Sequence, residues 1–195
     1  SMDVAELPSK WLDIQGKAYG WSVALSDDGH KLAVGSYGGA ACFYEKSNGA
    51  YGFKTCIDKS DENVSFGSRV ALSGDGKTLA VVANQDTATM LGVCDPAYNA
   101  CDLSNKDEEW NSGVVYLYAW ENEIEFRKYV KPSNSGGSCG GGIFNFIVGA
   151  GLGIALNQDG STLAVSAPTE SSNSVGVNGN RANTDLLESG AVYLY

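Results

Sequence analysis

The chain has a single histidine, His30, among its 195 residues, and no C-x-x-C pair. That excludes ordinary zinc sites, which need clustered Cys and His ligands. It also leaves no serine or cysteine with an imidazole in a nucleophile setting, so no catalytic triad is readable. Basic residues are scarce, with Lys+Arg 13 against Asp+Glu 23 and a net charge of −10. A nucleic-acid partner is therefore not expected, because phosphate is bound mainly by Lys and Arg. No apolar run approaches the ~18 residues of a membrane helix. The first residues lack the basic and apolar regions of a signal peptide, and Ser1-Met2 reads as a cloning remnant, so the natural start is expected upstream.

What remains is a globular composition, 43% hydrophobic and 18% charged, with 25 glycines and no collagen period. Such glycine content implies many turns and close backbone approaches. The acidic balance serves solubility and could also attract divalent cations or basic partners. The five cysteines are Cys42, Cys56, Cys94, Cys101 and Cys139. Cys94 and Cys101 bracket "CDPAYNAC", which reads as a stapled surface loop, with Cys139 left free. The sequon Asn63-Val64-Ser65 is a glycosylation candidate. Together these favour an extracellular or cell-surface location.

The strongest signal is repetition. "YGWSVALSDDGHKLAVGS" from Tyr19, "FGSRVALSGDGKTLAVVA" from Phe66 and "GAGLGIALNQDGSTLAVSA" from Gly149 share one pattern. Each has an apolar segment ending Ala-Leu, an Asp-Gly turn and then Leu-Ala-Val. Asp-Gly between short apolar runs signals a tight hairpin, here strands A and B. "SGVVYLYAW" recurs as "SGAVYLY" and, worn down, as "GGAACFYEK", giving strand C. "YGFKTCI" and "EIEFRKYV" follow as strand D. A short turn near Gly49 sets Cys42 on strand C opposite Cys56 on strand D, within disulfide range.

The fold class is therefore all-β, in units of four antiparallel strands. "VVYLYAW" and "TLAVVA" are apolar at consecutive positions, so both sheet faces should be buried. Small sheets buried on both faces and repeated in series predict β-propeller blades, as a partial ring or half of an assembled propeller. The expected divisions are a blade-closing strand D at 10–18, repeat one at 19–57, repeat two at 66–130, a Gly-rich linker at 131–148 and repeat three at 149–195. Three blades are too few to close a ring, so an open arc is expected. Trp11 to Gln15 should pair with a strand C from further repeats or from a second copy.

Phe66-Gly67, "AVSAP" at 164–168 and "SGAVYLY" together resemble the FG-GAP repeat of integrin-α-type propellers, in its long-repeat bacterial and algal surface variety. The resemblance spans nearly the whole chain and is closest in repeat three. It implies a non-enzymatic extracellular propeller that binds protein or carbohydrate in adhesion or assembly. The alternatives are a WD40-like intracellular scaffold, though the WD dipeptide is missing, and a propeller enzyme with an axial site. The family's A–B turn can hold calcium, but the matching slots here are poor: Ala24, Ser26, Asp28 and Leu32; Ala71, Ser73, Asp75, Gly76 and Leu79; Ala155, Asn157, Asp159 and Leu163. One carboxylate and one hydroxyl cannot supply six to eight oxygens, so these aspartates read as turn residues, with calcium open only elsewhere.

No catalytic residue is assigned. "GGSCGGGIF" around Cys139 lacks the phosphate-loop pattern and reads as linker. The carboxylates of "DKSDEN" and "KDEEW" read as solvated loop charge. Recognition is placed instead on the B–C loops, residues 84–111 and 168–188, because loops on a rigid scaffold carry binding. Tyr98, Glu108, Glu109 and Trp110 are the candidate ligand-binding residues.

Overall fold

The described residues form twelve strands and no α-helix. The computed structural model describes residues 18–59, 62, 64–86, 93–94, 113–131, 153–168, 170–173, 176, 179, 185–186 and 189–195. The first sheet is the meander β1 (Tyr19–Leu25), β2 (Lys31–Ser36), β3 (Ala40–Ser47) and β4 (Ala50–Asp58). The second contains β5 (Phe66–Leu72), β6 (Thr78–Ala83), β7 (Val93–Cys94), β8 (Val114–Trp120) and β9 (Ile124–Val130). The third contains β10 (Ile154–Leu156), β11 (Leu163–Ala167) and β12 (Ala191–Leu194).

All pairings are antiparallel. The second sheet departs from the expected four strands. β7, from within the long B–C segment, adds to the outer edge of β9, giving the order β5-β6-β8-β9-β7. The segment 10–18 lies outside the described residues except for Ala18, as does nearly all of the linker 131–148.

The repeated phrase encodes two different faces. Side chains alternate along a strand, so Val, Leu, Leu and Val of "VAL…LAV" point one way and the alanines the other. Cross-strand partners then sort each sheet into a large face and a small face. In the second sheet Leu79 pairs with Tyr118 and Val81 with Tyr116, while Ala80 pairs with Leu117 and Val82 with Val115. The large face of the second sheet (Val70, Leu72, Tyr116, Tyr118) packs on the small face of the first (Ala33, Ala41, Phe43). The small face of the second (Ala71, Ala80, Val82, Val115) receives the large face of the third (Leu163, Val165, Tyr193). The sheets thus stack in a row, small face onto large face, and do not close on themselves.

Burial on both faces, expected of every sheet, reaches Ala40 to Tyr44 in the first and is most extensive in the second. There every residue from Leu79 to Ala83 is inaccessible to solvent. Backbones approach closely at the first junction. A Cβ on Gly35 would lie 2.1 Å from the Gly67 carbonyl oxygen, and one on Gly67 would lie 2.1 Å from that of Ala40. Polar ties reinforce it. Lys31 Nζ donates to the carbonyls of Gly76 (3.0 Å) and Trp120 (2.6 Å), and Trp120 Nε1 donates to Glu45 (2.9 Å). Cys42 and Cys56, in register across β3 and β4, form a disulfide on the far face of the first sheet.

Candidate functional site

An up-and-down meander sends its A–B and C–D turns to one rim and its B–C loops to the other. At the first rim, three Asp-Gly turns lie side by side. Asp27 N donates to the Gly74 carbonyl at 2.9 Å, and Asp75 N to that of Gln158 at 2.8 Å. These contacts explain Gly74, where a Cβ would meet Gln158 Oε1 at 2.3 Å and Asp27 Oδ2 at 2.5 Å.

The turn carboxylates are occupied by their own loops. Asp75 Oδ1 accepts from Ser73 Oγ (2.7 Å) and from Lys77 N (2.9 Å). Asp28 Oδ1 accepts in the same way from Ser26 Oγ (2.6 Å) and His30 N (2.9 Å). Asp159 accepts from Ser161 N at 3.0 Å. The side-chain and then the backbone donors hold all three carboxyls below the usual range. No group of three or more His, Cys, Asp or Glu residues is placed to hold a metal among the described residues.

The first turn brings Ser26, Asp28 and His30 together, but in the wrong order for nucleophilic catalysis. Asp28 stands between the other two, with His30 Nδ1 3.4 Å from Asp28 Oδ2. A triad needs the imidazole between hydroxyl and carboxylate, to take the hydroxyl proton. Ser26 Oγ instead gives its proton to Asp28 and accepts from Lys31 N. The same wiring with Lys77 in place of His30 marks it as a turn device.

The opposite rim holds the feature that the sequence reading passed over. Asp86 and Glu170 are carboxylates with 1% exposure each, three residues past Ala83 and Ala167, at the roots of the two long B–C segments. Their backbones match. Each N–H donates to that alanine's carbonyl, and each carbonyl accepts from the glycine opening strand C, Gly113 or Gly190. Burying a carboxylate is costly unless it is hydrogen-bonded. Tyr116 donates its hydroxyl to Asp86 Oδ2 at 2.6 Å. Ser172 satisfies Glu170 with both its N–H and its hydroxyl, and Ser189 Oγ donates to the Glu170 and Ser172 carbonyls. The acidic residue at one shared offset in "ANQD" and "APTE" was the available signal.

Beside Asp86 lies Lys131, fully buried. Burial pulls its ammonium down to about 8, partly opposed by the Asp86 charge. Burial likewise pushes the Tyr116 hydroxyl upward, with Asp86 adding to the rise. Tyr195 donates to the Lys131 carbonyl at 2.7 Å, tying the third sheet to this corner. At the other rim, a 170 Å³ cleft between the second and third sheets is lined by Thr78, Tyr118, Arg127, Lys128, Ser161 and Tyr195 among others. Arg127 is paired there with Glu125 at 3.0 Å.

Tyr98, Glu108, Glu109 and Trp110 lie outside the described residues, as do Asn63, Cys101 and Cys139; of Cys94 only the backbone, in β7, is described. No protein family matches the chain, and no curated protein does either.

Proposed function

We propose that this chain is part of an extracellular, non-enzymatic β-propeller of FG-GAP type that presents its B–C loops to a protein or carbohydrate ligand. The observation that carries the reading is the pair of equivalent loop roots, where buried Asp86 and Glu170 anchor two long segments to one rim. A binding loop needs fixed ends on a rigid scaffold, and stacked sheets with buried carboxylate clasps supply both. The Cys42–Cys56 disulfide favours an oxidising compartment, and no helix of the described residues is long and apolar enough to cross a membrane. Function is not fixed by fold, so the ligand class rests on the loop composition and the resemblance.

The test is binding of the purified chain to a glycan array and to a panel of extracellular-matrix proteins, for wild type and for the variant E108A/E109A/W110A. The reading expects at least one ligand, with binding lost in the variant and thermal unfolding unchanged. Binding that survives the triple substitution, or an absence of any ligand, would count against it.

A further inference from the structure

The two ends of the sheet row are the unmatched halves of the junction that the row uses twice inside. At each internal junction the large face of one sheet covers the small face of the sheet before it. The first sheet therefore ends with a large face that no described residue covers along β1, and the third with a small face left open in the same way along β12. Equivalent positions in the repeats make the comparison like for like. Val70 and Leu72 on the second sheet's large face are 7% and 8% exposed. Their counterparts on the first sheet, Val23 and Leu25, are 64% and 53% exposed. On the small face, Val115 and Leu117 are 0% and 6% exposed, whereas their counterparts Val192 and Leu194 on the third sheet are 67% and 69% exposed.

Backbone shape repeats the pattern. Gly67 has φ of 90°, and a Cβ there would run into the Ala40 carbonyl of the preceding sheet. Gly20, at the same position of the first sheet, has φ of 85° and meets no described atom within 4 Å. The outer strand of the first sheet thus keeps the close-approach geometry used at the internal junction.

We infer that the small face of β12 on one copy of this chain stacks on the large face of β1 on a second copy, head to tail. Such a contact continues the internal junction along its first strand: Val23 and Leu25 take the places of Val70 and Leu72, in the same order of sheets. Further in on that face, Val34, Cys42 and Tyr44 are already buried in a cluster with Tyr19, Tyr51 and Phe53. The contact is heterologous, because two different faces are joined, so it leaves one free face of each kind after two copies meet. Exposed apolar strands of this kind mark association surfaces. With each copy at −10, the copies repel, and added salt should strengthen the contact by screening. The inference is independent of the ligand-binding reading above, since it uses only the sheet stacking.

The test uses the whole chain in sedimentation velocity across a roughly hundredfold concentration range, where mass action must show association. The wild type should pass from one chain to assemblies of two or more as concentration rises, more readily at higher salt. Val23→Glu with Leu25→Glu, and separately Val192→Glu with Leu194→Glu, should each stay monomeric. Mixed together, those two variants should form a one-to-one dimer through their intact faces, an outcome that a symmetric contact cannot give. Circular dichroism checks that each is folded, and threonine at the same four positions provides a strand-compatible second set. A wild type that stays monomeric throughout, a variant that still associates, or a mixture that does not pair overturns the inference.

Discussion

Gly20 and Gly67 share a role in the repeat but differ in what surrounds them, which makes them a test of close packing. Both have positive φ, so any side chain there is strained by roughly 1–3 kcal/mol. Only at Gly67 does backbone stand in the way as well. Gly67→Ala should therefore destabilise clearly more than Gly20→Ala in urea unfolding, by about 2 kcal/mol or more if the sheets must part. Equal losses would mean that φ alone explains both glycines. Lys131 gives a second test, through pH. Its pKa falls from an ordinary 10.5 to about 8, so the unfolded chain binds more protons between those values. Stability should rise as pH increases from about 8 towards 10, by at most about 3 kcal/mol. Above about 10 the buried hydroxyls of Tyr116 and Tyr118, both pushed upward, ionise only on unfolding, and that costs stability. The urea midpoint should pass through a maximum near the upper end of the rise. Lys131→Met should flatten the rising limb and leave the fall.

At the level of strands, the first sheet replaces an aromatic pair with a covalent one. Cys42 and Cys56 occupy the positions that Tyr116 and Tyr129 hold in the second sheet, where the rings lie 6.4 Å apart. The second sheet has a neighbour over those rings, whereas the described residues clustered with the two cysteines, Val34 and Tyr44 with Tyr19, Leu32, Tyr51 and Phe53, all belong to the first sheet itself. Closing a loop of 14 residues contributes about 3 kcal/mol through the unfolded chain. Reduction should lower the urea midpoint accordingly and speed exchange first in β3 and β4; an unchanged midpoint would show the bond to be incidental. This pairing was legible in the sequence, because a turn near Gly49 fixes which residues oppose. The Asp-Gly hairpins and strand C were legible for the same reason, being set by local turn chemistry and β-branched or aromatic runs. The split into large and small faces was also written there, in the alternation of "LAV", but reading consecutive apolar residues only as burial hid it. Asp86 and Glu170 escaped because carboxylates near a loop read as solvated: the partner that offsets Asp86's burial, Tyr116, is distant in sequence, and Ser172 beside Glu170 looks like any polar loop residue. β7 escaped because two residues in a polar segment carry no pattern. Tyr98, Glu108, Glu109 and Trp110 rest on composition alone.

For the molecule as a whole, a row of sheets touching only its neighbours behaves as a nearly one-dimensional array. Stability is then a sum of each sheet's own terms and its junctions, and the member with two junctions is the most protected. The second sheet has both faces covered and its central strands β6 and β8 almost fully buried. The first has one junction, a disulfide and four paired strands; the third has one junction and three strands. Native-state hydrogen exchange should therefore rank opening free energies as second sheet, then first, then third. A substitution on one face should act in one direction along the row. Val115→Ala removes two methyl groups from the small face that the third sheet covers, and should cost about 2 kcal/mol. Most of that loss should appear as faster exchange in β11 and β12, with β2 and β3 little changed. Val81→Ala, on the opposite face of β6 towards the first sheet, should show the reverse bias. If both substitutions raise exchange equally in all three sheets, the row opens as one cooperative unit and the junctions are not separable.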